Sequence, residues 1–380
     1  MDIYKDKLRL CATAAFGVEA TLKRELQRLG FEGIAVSDGR VDFQGDLEGI
    51  ARANLWLRSA NRVMLVMGEF EARSFDELFE GTKALPWGDW IGREAMFSVS
   101  GKSVRSGLYS VPDCQAIVKK AIVEKLRMLH TDVEWFAETG PKYNVQVSIL
   151  KDIATITIDT TGSSLHMRGY RKVAAPAPIK ETLAAALIEL SYWRPGRVLM
   201  DGVCGSGTIP IEAAMIARNI APGSFRRFVC EAWPQMPAQI WVKERERANG
   251  LAVAAREQPL IFAGDISARE VQAAMTNAEA AGVFGDIRFG VCALGDAVLP
   301  AESGIAIMNP PFGERMASAS QAAELYRIMG RLFADDNWSV YVLTSDEDFE
   351  RHYGKKADKK RKLFSGMIKT DYYQFHGKKP

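Results

Sequence analysis

The chain has 380 residues, 47% hydrophobic and 25% charged, with 49 Lys and Arg against 47 Asp and Glu. Such a composition suits two or three folded domains at about 150 residues each and excludes wholesale disorder. The net charge of +2 announces no nucleic-acid binder, so a surface of that kind must be local.

Met1–Asp6 lacks the apolar core of a signal peptide, and no apolar run approaches the roughly 20 residues of a membrane span. Five dispersed cysteines form no CxxC pair, and four histidines form no HExxH. The expectation is a cytoplasmic protein with reduced thiols and neither metal nor membrane partner.

Val18, Leu22, Leu26 and Leu29 share one helical face that stops at Gly30. Asp38-Gly39 turns a hairpin between Ile34-Ala35-Val36 and Val41-Asp42-Phe43. A strand over 63–67, a helix from Ser74 and a strand over 95–100 follow. Pro112 suits the first turn of a helix whose inward face carries Ile117, Ala121, Ile122, Leu126 and Leu129. Segments 143–150 and 153–158, joined at Lys151-Asp152, predict a hairpin. This half is α+β. The basic, then Ala/Pro-rich, stretch from Leu165 to Pro178 marks a boundary. Beyond it a helix carries Leu183, Leu187 and Leu190. Short apolar runs over 197–200, 260–263, 287–291, 305–308 and 340–343 then predict an α/β parallel sheet with crossover helices.

The first of those runs ends at Asp201 and enters Gly202-Val203-Cys204-Gly205-Ser206-Gly207-Thr208. Glycines allow tight turns and close backbone approach, and the helix start offers free N–H groups, as a cofactor loop requires. Pro210 stands where a dinucleotide fingerprint wants glycine or alanine, and no Gly-Lys-Ser/Thr makes a P-loop. Asp265 ends the second run, where a carboxylate suits a ribose diol. Asp296 follows the third, where it can accept from an adenine amine. Each is equally explained as a solvated loop acid or a helix cap.

Ile305–Met308 delivers Asn309-Pro310-Pro311-Phe312 to the carboxyl edge of the sheet, where open α/β folds bind ligands. The Asn309 side-chain oxygen and the Pro310 carbonyl can accept the two hydrogens of a flat exocyclic amine, while Phe312 stacks on its ring. Such an amine is a poor nucleophile because its lone pair is delocalised. Two fixed acceptors turn that lone pair toward a methyl donor, so catalysis is positioning without a strong base. Cys204 is not needed as a nucleophile.

Two basic clusters are candidates for nucleic-acid phosphates: Lys355, Lys356, Lys359, Lys360, Arg361 and Lys362, and His166, Arg168, Arg171 and Lys172. Either could be a solvated charged face. Lys102, Arg105, Lys119, Lys120 and Lys125 are weaker candidates. Trp87, Trp90, Trp233 and Trp241 suit packing better than base stacking. Glu314 and Arg315 flank the target loop.

The segments LHMRGYR (165–171), APIKETLA (177–184), CGSGTIPIEAAMIA (204–217), NPPFGERM (309–316) and KLFSG (362–366) resemble one family across essentially the whole chain. It is the THUMP-domain RNA methyltransferases of the ribosomal RNA large subunit methyltransferase L type. The resemblance implies a ferredoxin-like region over 1–60, a THUMP RNA-binding domain over 61–160, a linker over 161–178 and a class I, Rossmann-like methyltransferase domain over 179–380. It implies S-adenosylmethionine as cofactor, held by Asp201, Cys204, Gly205, Gly207, Asp265, Asp296 and Asn309. Pro178 and Thr182, in the segment 178–182, would help close the cofactor site. Asn309, Pro310, Pro311 and Phe312 would take the base. Gly202 replaces a usual Pro and Ser365 a usual Asn. An insertion around 221–257 agrees with relatives. The implied product is N2-methylguanosine in 23S rRNA, free or in a precursor particle. Adenine N6 methylation, tRNA guanosine N2 methylation and a non-catalytic RNA-binding assembly factor are the alternatives.

Overall fold

The computed structural model describes residues 7–132, 136–173, 178–311 and 319–378. They form two units. One comprises the chain through Ala14, Lys23–Leu165 and Arg227–Glu246; the other comprises Ala15–Leu22, His166–Arg226 and the chain from Arg247 onward.

The first unit is built on β1 (Leu8–Ala14), β2 (Glu32–Ser37), β3 (Arg40–Gly45), β4 (Ala60–Glu71), β5 (Met96–Val104), β6 (Lys142–Leu150) and β7 (Ile153–Asp159). The helices are α1 (Glu19–Arg28), whose residues through Leu22 belong to the other unit, α2 (Leu47–Trp56), α3 (Phe75–Lys83) and α4 (Val111–Leu129). The sheet order is β2-β3-β1-β4-β7-β6-β5. β4 is longer than the 63–67 expectation for a physical reason. Its first half pairs with β1 and its second with β7, so one strand joins two halves into a single sheet. A buried polar link reinforces the join: Asn54 of α2 donates to Thr160 Oγ1 at 2.9 Å and accepts from the Thr161 hydroxyl at 2.7 Å. Ser74 caps α3 in a reciprocal box with Glu77, which stops the chain from extending β4 further. The β6–β7 turn places Lys151 and Asp152 at φ 50° and 64°, the left-handed pair a two-residue hairpin demands.

The second unit runs α5 (Glu181–Leu190), β8 (Leu199–Asp201), α6 (Thr208–Ala217), α7 (Ala238–Gly250), β9 (Ile261–Asp265), α8 (Ala268–Ala280), β10 (Ile287–Val291), β11 (Gly304–Met308), α9 (Ala319–Leu332), β12 (Trp338–Thr344), α10 (Phe349–Tyr353), β13 (Lys359–Ser365) and β14 (Ile368–Phe375). α7 straddles the division between units at Glu246. The order is β10-β9-β8-β11-β12-β14-β13, parallel through β12, with β14 inserted antiparallel between β12 and β13. β11 is buried throughout, as a central parallel strand covered on both faces must be. Tyr326, Phe349, Tyr373 and Phe375 pack the side of the sheet beneath α9 and α10.

The insertion contributes its middle to the first unit. Trp233 stacks on Tyr143 with ring centroids 4.6 Å apart and donates its indole N–H to the Lys142 carbonyl at 3.0 Å. Gln235 donates to the carbonyls of Asp89 and Trp90. Trp87, Trp90, Trp233 and Trp241 are all buried, so they pack rather than stack on bases.

Candidate active site

The order of the second sheet reverses between β8 and β11, the position at which an open α/β sheet leaves a crevice. Both motifs singled out in the sequence leave the sheet there. After β8 the chain turns through Gly205 (φ 51°) and Gly207 (φ 81°) into α6. A Cβ on Gly207 would lie 2.8 Å from Ala274 Cβ of α8, whereas one on Gly205 would meet nothing within 4 Å. Gly207 is therefore a packing requirement, and the backbone at Gly205 faces open space. A Cβ on Gly202 would collide with a Leu294 methyl.

Hydrogen bonds bring Asp201, Cys204, Gly205, Gly207 and Asp265 together. The Cys204 N–H donates to the Gly264 carbonyl and the Gly207 N–H to the Cys204 carbonyl, each at 2.9 Å. One Asp265 oxygen accepts from the Gly205 N–H and the other from the Ser267 N–H, both at 2.9 Å. Ser267 supplies the cap of α8, so Asp265 is not that cap. Each of its oxygens keeps a further lone pair. Asp201 is buried, and its carboxyl group accepts from the Val203 N–H at 3.2 Å. Burial, with Asp265 nearby and only Val203 opposing, pushes its pKa up to about 8. Burial also raises the Cys204 thiol well above its ordinary value, which keeps it protonated and unsuited to nucleophilic attack.

The Cys292 N–H donates to the Asp265 carbonyl, tying the loop after β10 to the end of β9. Asp296 lies beyond it in a single helical turn, exposed, its carboxylate making no hydrogen bond among the described residues. Asn309 and Pro310 follow β11 directly, with Pro310 buried and Pro311 half-buried. The Asn309 side-chain oxygen is shut off from solvent and has no donor among the described residues. A buried acceptor without a donor is costly, so this atom is suited to receive a ligand N–H. Phe312, Glu314 and Arg315 lie outside the described residues.

Two residues brace the loop: Arg171, which the sequence offered as a phosphate contact, and Asn277, which carried no motif signal. Arg171 donates to Glu181 (2.8 Å), the Ser206 hydroxyl (3.0 Å), the Thr208 hydroxyl (2.9 Å) and the Ile179 carbonyl (3.3 Å). It thereby fastens the segment beside Pro178 and the buried Thr182 to the glycine loop. Asn277 of α8, fully buried, accepts from the N–H groups of Lys172 and Val173 and donates to the carbonyls of Val173 and Ser206. Only a tertiary contact reveals either role.

The basic cluster at 166–172 is corrected on the same grounds. Arg168 is 1% exposed and pairs with Glu212, which also accepts from the Tyr170 hydroxyl. Burial and the surrounding cations lower the His166 pKa to about 4, leaving it neutral. Arg168 and Arg171 are internal struts, not phosphate contacts. In the C-terminal cluster Lys355 pairs with Asp336, Lys360 with Glu350, and Arg361 donates to the Gly17 carbonyl. Lys356, Lys359 and Lys362 are exposed and form no ion pair among the described residues.

Three family models match: an RlmL ferredoxin-like domain over residues 9–64, a THUMP domain over 72–159 and an RMKL-like methyltransferase domain over 168–374. The chain belongs to the RMKL-like methyltransferase family. It is 50% identical over 379 residues to “Putative RNA methyltransferase YpsC” of Bacillus subtilis (strain 168), covering 98% of this chain and 97% of that protein. A solved protein of Listeria monocytogenes, described as a “predicted N6-adenine-specific DNA methylase”, is 52% identical, with a TM-score of 0.92 over 98% of this chain and 97% of its own. SMU.472, described as a “putative methyltransferase complexed with SAH”, is 44% identical, with a TM-score of 0.92 over 99% and 100% of the two chains. The expected succession of ferredoxin-like, THUMP and class I methyltransferase folds is therefore correct.

Proposed function

We propose that this protein methylates the exocyclic N2 of a guanosine in RNA, using S-adenosylmethionine, and that its substrate is large-subunit ribosomal RNA in the cytoplasm. The observation that carries the reading is the Asn309 side-chain oxygen, buried and without a donor among the described residues at the end of β11. An exocyclic amine supplies the missing donor.

The residues at the switch point fit the cofactor. The backbone at Gly205 faces open space that a ligand can occupy, and Asp265 has lone pairs left for a ribose diol. Asp201, Cys204 and Gly207 shape the loop, Asp296 offers an acceptor for an adenine amine, and Pro178 and Thr182 flank the segment that Arg171 fastens. SMU.472, described as complexed with SAH, supports this choice. When bound, S-adenosylmethionine supplies an electrophilic methyl group. Asn309 and the Pro310 carbonyl hold the two amine hydrogens and orient the nitrogen lone pair, with Pro311 stiffening the loop and Phe312 stacking on the base. No general base of unusual strength is required. The THUMP match and the RNA methyltransferase name of the Bacillus relative support RNA as substrate.

Adenine N6 is the second reading, because its amine satisfies the same acceptors and the Listeria protein is described in those terms. Incubation with methyl-labelled S-adenosylmethionine and unmodified rRNA, tRNA or DNA, followed by mass spectrometry of the nucleosides, separates them. Labelled N2-methylguanosine in rRNA is expected. Label on adenine N6, or in tRNA or DNA alone, would move the substrate. Asn309→Ala should abolish transfer while sparing binding of S-adenosylhomocysteine. Asp265→Ala should weaken that binding.

A further inference from the structure

In the first unit, the loop between β5 and α4 carries the most exposed aromatic ring among the described residues, Tyr109 at 84%. Large rings on a folded surface are ordinarily covered. The loop is also tightly fixed. The Ser103 hydroxyl donates to the Leu108 carbonyl at 2.6 Å and the Ser106 hydroxyl to the Val104 carbonyl at 3.0 Å. From the β6–β7 turn, the Asp152 N–H donates to Ser106 Oγ at 3.1 Å and the Lys151 N–H to the Val104 carbonyl at 3.2 Å. The Gly107 N–H donates to Asp152 at 2.7 Å. Leu108 is buried beside the ring. Arg105, Lys151 and Asp152 all hold left-handed backbone without being glycine, a strain that the surrounding bonds over-determine.

These bonds gather Arg105 and Lys151 at the same end of the sheet as Tyr109. Both cations are exposed and form no ion pair among the described residues. Of the neighbouring acids, Glu71 pairs with Arg73, while Asp152 accepts from the Gly107 N–H and Asp113 from the Ser110 hydroxyl. Lys119 and Lys120, on α4, instead lie over Phe97 and Phe79.

We propose that Tyr109, with Arg105 and Lys151, is a docking platform for single-stranded RNA: the ring stacks on an unpaired base and the cations meet the flanking phosphates. Stacking tolerates any base and needs an open ring face, and unpaired cations on a rigid support suit a polyanion. A protein partner would be expected to bury the ring against apolar surface and to meet the cations with carboxylates. The proposal rests on the RNA-methyltransferase reading and names where that RNA is held.

The test uses the full-length protein and equilibrium binding of a fluorescent mixed-sequence single strand of RNA, alone or annealed to its complement, over a salt series. Tyr109→Ala should weaken single-strand binding about tenfold and leave duplex binding, thermal midpoint and S-adenosylhomocysteine affinity unchanged. Tyr109→Phe should bind as wild type. Arg105→Ala with Lys151→Ala should lower the log–log salt slope by about 1.4. Wild-type affinity in both alanine variants, or no RNA binding by the wild type, overturns the platform. Equal defects in Tyr109→Phe and Tyr109→Ala overturn stacking. Binding needs no turnover, so a wild type that binds RNA through Tyr109 but labels only DNA would overturn the proposed substrate and leave the platform standing.

Discussion

The run His166–Lys172 and the separated pair Arg105 and Lys151 carry charge of the same sign, yet the fold gives them opposite fates. In the first, four basic side chains lie within seven residues, and the two arginines are turned inward onto Glu212, Glu181 and the glycine loop. In the second, two cations far apart in sequence are brought to one end of a sheet by strand pairing and left without ion-pair partners among the described residues. Density of charge along the chain therefore says little about availability. What decides is whether a carboxylate from another element arrives.

That contrast can be broken most forcefully at Arg168. Arg168→Met leaves Glu212 charged and buried, and should cost about 3–5 kcal/mol. Adding Glu212→Leu should recover much of the loss. Thermal denaturation reads both, and an unchanged midpoint in the single variant would return Arg168 to the surface.

Asp201 offers a second test of what burial does to charge in the same region. Its pKa of about 8 in the fold compares with about 3.9 unfolded. The native state holds the proton more tightly, so this group makes stability fall as pH rises from about 4 to about 8, and the decline then levels. Asp201→Asn should flatten that part of the pH profile of the thermal midpoint. Parallel profiles for variant and wild type would contradict a buried, protonated carboxyl.

A smaller effect is expected at Arg171, which is only partly buried. Arg171→Ala should weaken S-adenosylhomocysteine binding about tenfold, the equivalent of one charge-assisted bond lost beneath the loop. Arg171→Lys should restore part of it, and titration calorimetry would show whether the strut matters to the loop. The smallest expected effect belongs to Lys356 and Lys359. Alanine at either should change stability by less than about 0.5 kcal/mol, and a larger drop would mean that they too have buried obligations.

Much of the fold was legible because its signals are local. Asp38-Gly39, Ser74 and Lys151-Asp152 act through the backbone within a few residues, and each turn or cap formed where expected. The short apolar runs marked β8 to β12, and β8, β11 and β12, buried throughout, carry their identity in their own side chains. The length of β4 was not legible, because it depends on two different partner strands. Nor was the departure of residues 227–246 to the first unit, which rests on Trp233 meeting Tyr143 ninety residues earlier in sequence.

For the site, the sequence by itself determined the chemical inventory: a glycine loop, acids after successive strands, and an Asn-Pro-Pro turn. These are properties of short segments whose backbone needs are met locally. Only the tertiary structure decided that the two motifs leave the sheet at one switch point, that the Asn309 oxygen meets no donor among the described residues, and that Arg171 and Asn277 brace the loop. It alone separated the inward-turned arginines from the open cations around Tyr109. The physical reason is the same throughout. Burial and hydrogen-bond satisfaction depend on atoms brought in from elsewhere along the chain, and a one-dimensional pattern does not record which ones arrive.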